Sequence, residues 1–468
     1  MIGHNGDLCY ATTGNSLLNF FAKAGNITKN ANTPTYYGSE SLNGLNLFKD
    51  AWESDNYKAM QLAMWVRDIR GGAGNRQTFR DIVTWLGCNY PQWILANLSF
   101  IPQVGRWDDL LSLRGTVCGQ KALEIWVDAI KNKNGLAAKW APRERSNPTV
   151  FKAMRKIAKM SPKDYRKLLA SNTNVVEGLM CDNKWEDVNY NSVPSVAISR
   201  LATTFHIRDL NRFKAWKQSL SDKKSGNKVN AAALFPHDCI KTLNSGDAEL
   251  ANAQFDALPN FIDGTKLRIL CVADFSGSMI TPVLNDITAM DVAMGLSLYC
   301  SEKIGEGNPF YRKFIPFSCN SELVHWREMT FSEAARKCKN GYCGSTNIKG
   351  ALLKILEYAK LFNVTNEQIP NCLMILSDMQ FDCSCSDDET SVESAMREWE
   401  EAGYTRPKIV YWNLCKYDGY ASNVVHKDVA LVSGFSPSIL KPVLDGEDFS
   451  PIAIMERAIA KYEIVRPL

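Results

Sequence analysis

Asp274-Phe275-Ser276-Gly277-Ser278 sets a carboxylate and two hydroxyls at alternating positions, with a glycine between the hydroxyls, directly after the apolar run Leu267 to Ala273. Such a run reads as a buried strand, and the polar string as its end, where three hard oxygen groups turn toward one point. Hydroxyls and carboxylates suit magnesium first and manganese second, and offer nothing to a soft metal. Five residues of this kind are common by chance. Two further segments give them weight: Thr346 within Gly344-Ser345-Thr346-Asn347, and Asp378 within Leu376-Ser377-Asp378. Each alone is also an ordinary polar loop beside a strand or helix end.

A second concentration of chemistry is basic. The net charge of +4 conceals two halves: residues 1–265 hold 33 Lys+Arg against 24 Asp+Glu, and residues 266–468 hold 21 against 26. Between Lys131 and Ala170 twelve basic residues are opposed by Glu144 and Asp164 alone. A half this polarised suits a polyanionic partner, although a solvated helix face has the same composition.

Enzymatic patterns are weak. No Gly-x-Ser-x-Gly elbow surrounds Ser276 or Ser278. Gly71-Gly72-Ala73-Gly74 is a tight turn or a backbone anion nest, but it lacks the lysine-serine/threonine ending of a nucleotide-binding loop. His4, His206, His237, His325 and His426 show no metal-ligand spacing. Cys383-Ser384-Cys385 is the only tight pair among 14 cysteines, and zinc is not expected there. A metal-assisted nuclease would need an RNA path to Asp274, and the acidic character of that half argues against one. No enzyme is expected.

The elements that must position these residues follow two grammars. Helical periodicity marks Leu45 to Val66, Thr78 to Leu86, Trp93 to Phe100, Gln120 to Lys131, Thr149 to Lys159, Pro162 to Ala170 and Val193 to Phe205, while Ser219 to Asn230 reads as an exposed loop. Short helices with short connections suggest an irregular α-helical, HEAT-like repeat domain, without a clean repeat period. After about Asp256, apolar strand-like runs alternate with helices: Leu267–Ala273, Phe314–Phe317, Cys372–Leu376, Ile409–Trp412 and Val429–Val432. That alternation predicts a doubly wound parallel sheet, with Asp274 and Asp378 at strand ends where such sheets bind ligands. The predicted organisation is an α + α/β multidomain chain, residues 1–262 helical and 263–468 built on the sheet. No stretch is apolar for about 20 residues, so no membrane partner is expected. With no secretory pattern at the start, the cysteines are expected to be reduced and the protein soluble and cytoplasmic.

Asp274-x-Ser276-x-Ser278, Thr346 and Asp378 together resemble the metal-ion-dependent adhesion site of von Willebrand factor A domains. That resemblance implies that Ser276, Ser278 and Thr346 contact a divalent cation directly. Asp274 and Asp378 would act largely through bound waters, and one position would stay open for a carboxylate from a protein partner. In the helical half, Trp65-Val66-Arg67-Asp68-Ile69-Arg70-Gly71-Gly72-Ala73-Gly74-Asn75-Arg76 resembles a helix-to-loop signature of the TROVE module of Ro ribonucleoproteins. Segments 101–110, 137–144 and 165–169 resemble later landmarks of the same pattern. The likeness implies a ribonucleoprotein that binds single-stranded RNA ends or small structured RNA.

On that reading the candidate RNA contacts are Arg67, Arg70, Arg76 and Arg80 near the glycine loop, then Lys139, Arg143 and Arg145. Lys152, Arg155, Lys156, Lys159, Arg166 and Lys167 form a further group. The expected function is a Ro-like RNA-binding scaffold that recruits a protein through a magnesium-bridged carboxylate. The alternative is a metal-dependent interaction or assembly protein with no RNA function.

Overall fold

A computed structural model describes residues 7, 9–25, 44–173, 175–222, 224–284, 286–317, 321–339, 346–382, 390–415, 420–422, 428–445 and 448–467. Every regular element among those before Asp256 is helical, and the first strand begins at Ile269. The long apolar pattern Leu45 to Val66 is two helices, Gly44–Ser54 and Asn56–Arg67. Asp55 divides them, its side chain accepting from the Lys58 amide as an N-cap. An aromatic cluster ties these helices to the next pair: Trp52 meets Phe48, Trp85, Tyr90 and Trp93 at centroid distances of 5.1 to 6.2 Å. Such contacts each add about 0.5–1.5 kcal/mol beyond the area they bury.

The sheet has six strands: β1 (Ile269–Asp274), β4 (Lys313–Phe317), β5 (Val324–His325), β6 (Cys372–Ser377), β7 (Lys408–Asn413) and β8 (Val429–Ser433). A separate antiparallel pair is made by β2 (Pro282–Leu284) and β3 (Ile287–Thr288). The sheet order is β5-β4-β1-β6-β7-β8. All pairings are parallel except β4 with β5, so the sheet is the doubly wound parallel one that the alternation predicts, with a short antiparallel strand added at one edge. β5 is two residues long and follows β4 without a crossover helix, so no strand–helix alternation marks it. From β1 the chain goes to β4 on one side and to β6 on the other, which makes the carboxyl ends of β1 and β6 the switch point of the sheet.

Alternate strand residues separate into two cores, as the pleat requires. Leu270 and Val272 of β1, Leu373 and Ile375 of β6, and Ile409 and Tyr411 of β7 pack with the helices Ile348–Leu361 and Ser391–Glu401. Cys271 and Ala273, Met374 and Leu376, and Val410 and Trp412 face the other way. They join one cluster with the helix Ala289–Lys303 and with much of the helical half, from Leu17 to Leu169. The two halves therefore share a core.

The helical run meets the sheet half at both of its ends. The helix Ser16–Ala24 packs on β8 and on the helix Pro451–Ile459, covering what would be a bare sheet edge. Tyr10 and Tyr420 exchange backbone hydrogen bonds of 2.9 Å. Further on, the helices Pro236–Asn244 and Ala248–Asp256 pack on Ala289–Lys303 and Phe331–Lys339 respectively. The chain after Pro451–Ile459 returns to the first helices, where the Tyr462 carbonyl accepts from Gln61 Nε2 at 3.0 Å and Val465 is bonded twice to the Asn97 side chain.

Gly25 is the tightest point of this closure. A Cβ there would lie 2.5 Å from the Ser433 carbonyl oxygen and 2.7 Å from the Gly434 nitrogen, and backbone on both sides cannot yield cheaply. Its φ of −69° suits any residue, so contact alone makes glycine necessary. Gly25→Ala should cost about 1–3 kcal/mol, read as a lower midpoint of thermal unfolding; an unchanged midpoint would show that this junction is loose.

Six of the ten described cysteines are buried. No described helix is long and apolar enough to cross a membrane. Cys383, Cys385, His4 and His426 lie outside the described residues.

Candidate functional site

Asp274 ends β1 and is wholly buried. The chain beyond it stays paired for one more residue, the Phe275 amide donating to the Phe317 carbonyl, and then turns through a short 3-10 segment, Gly277–Ile280. That turn brings the Ser276 and Ser278 hydroxyls to 3.1 Å from each other. The Ser276 amide donates to Asp274 Oδ1 at 2.9 Å, and the neighbouring strand supplies the Ser377 hydroxyl to Oδ2 at 2.6 Å. Asp378 follows Ser377 at the end of β6 and is also buried; the Ser278 hydroxyl reaches its carboxylate, and Oδ1 accepts from the Gln380 amide at 3.1 Å. Met379 turns the chain here with φ of 64°, left-handed backbone that is uncommon for a non-glycine residue. Its amide is held by the Ser377 hydroxyl at 3.0 Å.

Thr346 arrives just before the helix Ile348–Leu361. Its amide donates to Asp382 Oδ2 at 2.8 Å and its carbonyl accepts from the Asp382 amide at 3.2 Å, which fastens it to the segment that follows Asp378. Gly344 and Ser345 lie outside the described residues. The structure thus joins Asp274, Ser276, Ser278 and Asp378 directly, and ties Thr346 to the same loop through Asp382. Ser377 and Asp382, the residues that orient the set, were not among the sequence candidates. Ser377 was legible as the hydroxyl that precedes Asp378 at the end of β6; Asp382 had no signal.

Two carboxylates buried side by side, with no cationic partner among the described residues, leave a deficit of positive charge. Burial first, and then the Asp378 carboxylate, push the Asp274 pKa up to about 7; burial raises Asp378 as well. Burial and both carboxylates hold the nearby Cys415 thiol protonated, so no thiolate is offered to a soft metal. Among the described residues no group of three or more His, Cys, Asp or Glu is placed to hold a metal. Any cation at this point depends on the hydroxyls, and the donor set fits a hard divalent ion.

The basic candidates divide. Arg67 is buried, its Nε donating to the buried Asp109 at 2.7 Å, so the expectation that it contacts RNA is corrected: it holds the helices together. Arg80 donates to Asp109 and Asp108, at 2.7 and 3.0 Å. Arg106, not among the sequence candidates, donates to Asp108 at 2.6 and 2.9 Å and lies over the Trp140 ring at 3.7 Å. Arg76 is half-buried beside them. Arg70 is exposed on the turn that follows the helix Asn56–Arg67. That turn is not an anion nest, since the amides of Gly72, Ala73 and Asn75 are all bonded to carbonyls of the preceding chain. A Cβ on Gly72 would stand 2.0 Å from the Trp65 carbonyl oxygen, which explains the glycine.

Farther along, Arg143, Arg145 and Arg166 line a cavity of about 970 Å³ with an apolar floor that includes Phe151 and Leu169. Arg143 donates to the Thr173 hydroxyl at 3.2 Å, and Arg166 pairs with Glu144 at 2.5 Å. Lys139 approaches Glu177 at 3.9 Å. Arg155 donates to the Met160 carbonyl at 3.0 Å, closing the end of its own helix. Lys152, Lys156, Lys159 and Lys167 are exposed on the helices Pro148–Ala158 and Pro162–Asn172 or just beyond the first, and make no ion pair among the described residues.

The family model described as Domain of unknown function (DUF2828) matches residues 3–120 and 147–263, and Domain of unknown function (DUF7788) matches residues 268–462. An uncharacterized protein of Acanthamoeba polyphaga mimivirus is 27% identical over 519 aligned positions, which take in 98% of this chain and 87% of the viral one. Among solved structures, the crystal structure of the Deinococcus radiodurans Ro protein overlays on 96% of this chain and 100% of its own, at 12% identity and a TM-score of 0.42. An overlay that loose carries no argument, and the architecture stands on the packing and sheet order described above.

Proposed function

We propose, from the premise that this chain belongs to the family of the domain of unknown function DUF2828, that it is an RNA-binding scaffold whose sheet half docks a protein partner through a divalent cation. The observation that carries the RNA reading is the run of exposed lysines at 152, 156, 159 and 167, which make no ion pair among the described residues. Lys152 and Lys156 lie one turn apart on a single helix, where like charges repel unless an anion compensates. Phosphates do so, and the counterions they release add to affinity. Arg145 and Arg70 extend the exposed positive surface. Crosslinking the purified full chain to cellular RNA and sequencing the adducts tests this directly. Absence of any RNA shift at low salt would leave an interaction or assembly protein.

In the sheet half, Ser276, Ser278 and Thr346, with Asp274 and Asp378, would hold magnesium, or manganese in its place. Such an ion supplies a Lewis-acidic site on which a partner's carboxylate can replace water. The residues themselves set its pH dependence. A carboxyl whose folded pKa is raised favours the folded state while protonated. That stability is present below the unfolded value of about 3.9 and is lost as pH rises through about 7. A cation needs the ionised form, so its affinity rises with pH up to that region. Magnesium should therefore raise the melting temperature more at pH 8 than at pH 6, and the gain should vanish in Asp274→Ala with Asp378→Ala. A gain that persists in the double variant would remove the assigned site.

A further inference from the structure

Three segments far apart in sequence, 65–76, 101–110 and 137–144, meet around one group of arginines. Among the described residues, two carboxylates, Asp108 and Asp109, serve the group Arg67, Arg76, Arg80 and Arg106. Asp109 accepts from Arg67 Nε and Arg80 Nε at 2.7 Å each and from the Arg106 amide at 2.8 Å. Asp108 accepts from Arg80 Nη2 at 3.0 Å and from Arg106 Nε and Nη2 at 2.9 and 2.6 Å. Arg76 receives neither carboxylate. Its Nε is buried and has no hydrogen-bond partner. Helix packing alone does not account for a fourth guanidinium here, because a desolvated donor without an acceptor is unfavourable.

An anion at the outer nitrogens of Arg76 would offset the excess of positive charge, four guanidiniums against two carboxylates, although the buried Nε itself stays closed to solvent. Arg76 is the first residue of the 14-residue helix Arg76–Asn89, whose dipole favours negative charge at that end, although Asn75 already caps the Thr78 amide. Arg80 lies one turn on, and Arg106 is held flat against Trp140. The Arg80 and Arg106 side chains keep 26% and 25% of their surface, so the group can be reached from solvent. Guanidinium forks match phosphate oxygens in geometry as well as charge. Burial and the three neighbouring arginines hold the Arg76 pKa below the usual guanidinium range, which agrees with a site short of negative charge.

We propose that Arg76, with Arg80 and Arg106 at its rim, is a built site for a single phosphate of the RNA backbone. This rests on the RNA-binding reading above. It differs from the lysine surface in being partly buried and pre-organised by Asp108 and Asp109, so it fixes the register of the bound strand where the lysines supply general attraction.

The test uses the full chain in two arms. In the first, melting is followed in inorganic phosphate and in chloride at matched ionic strength. Wild type should gain several degrees selectively in phosphate, Arg76→Gln should lose that gain, and Arg76→Lys should keep part of it. In the second, the affinity for a single-stranded RNA is followed against salt, and Arg76→Gln should reduce the slope of log K against log salt by about 0.7. No selective phosphate gain in wild type overturns the site, and so does an RNA slope unchanged in a folded Arg76→Gln. Wild type that binds no RNA overturns the RNA reading instead, and the phosphate arm then decides the anion site alone. If Arg76→Gln does not fold, the same comparisons are made with Arg76→Lys, for which a phosphate gain and an RNA salt slope both equal to wild type overturn the site.

Discussion

Asp109→Ala should unfold at markedly lower denaturant than wild type, with a loss of about 3–5 kcal/mol. Asp109 is fully buried and is the acceptor for three donors on three chain segments, Arg67, Arg80 and the Arg106 amide. Removing it leaves Arg67 buried at 3% exposure with no counter-charge, and it is that stranded guanidinium, more than the lost attraction, that destabilises. Asp109→Asn, which keeps an acceptor but not the charge, should lose less. Replacing the buried pair by apolar groups, Arg67→Met with Asp109→Leu, should recover part of the loss, although Arg80 would still lack its acceptor. Gly105 confirms the crowding: a Cβ there would stand 2.5 Å from Asp109 Oδ2. The measurement is the shift of the urea midpoint by tryptophan fluorescence. A shift equivalent to less than about 1 kcal/mol would mean that the cluster is solvated and that Asp109 is not its hub.

The same pair marks where the sequence was readable and where it was not. Buried elements with strong periodicity were legible: β6 (Cys372–Ser377) and the helix Ile348–Leu361 are uniformly apolar or carry a clear stripe. The helix Leu210–Ser219 was not, because Phe213 and Trp216 are its only buried apolar residues among basic neighbours. Ser16–Ala24 is almost wholly buried between the first helices and β8, Lys23 included, and its nine residues are too few for a periodic stripe to stand out. The interlocking of the two ends was invisible for a different reason. Hydrogen bonds such as Gln61 to Tyr462 and Gly25 to Ser433 join residues about 400 positions apart, and no local pattern encodes them.

Site residues divide along the same line. Asp274, Ser276, Ser278 and Asp378 lie together because strand ends in an alternating sheet fix where the chain turns, and the Ser377 hydroxyl, one residue past the last position of β6 paired with β1, reaches Asp274. Arg67 was misplaced because an arginine beside a glycine turn has the composition of a surface contact. Its burial depends on Asp109, forty-two residues on in the sequence. Charge content reports how much positive charge a segment carries, not which of it is already neutralised. Once Arg67, Arg80 and Arg166 are seen in ion pairs, the positive charge that remains among the candidates lies mostly on the helices Pro148–Ala158 and Pro162–Asn172 and the chain just before them, with Arg70 and Arg76 apart from these.

Those helices set the second large expected effect, a steep fall in RNA affinity with salt. Arg70, Arg145, Lys152, Lys156, Lys159 and Lys167 are exposed and, among the described residues, have no carboxylate within ion-pair distance. If each of these, and Arg76 with them, neutralises one phosphate of a single strand, log K should fall with log salt at a slope of about −5, and affinity should drop by on the order of 10³-fold between 50 and 200 mM. Exposed lysines on two successive helices favour this diffuse electrostatic binding over base-specific contacts, so the loss should vary little with RNA sequence. Lys152→Gln with Lys156→Gln and Lys159→Gln should lower the slope by about 2 while leaving the thermal midpoint close to wild type, since exposed charges contribute little to stability. Asp274→Ala should leave the slope unchanged, because the metal motif belongs to the acidic half. A slope near zero in wild type would assign the lysine surface to solvation, and a slope that collapses in Asp274→Ala would instead bring the RNA to the carboxyl ends of β1 and β6.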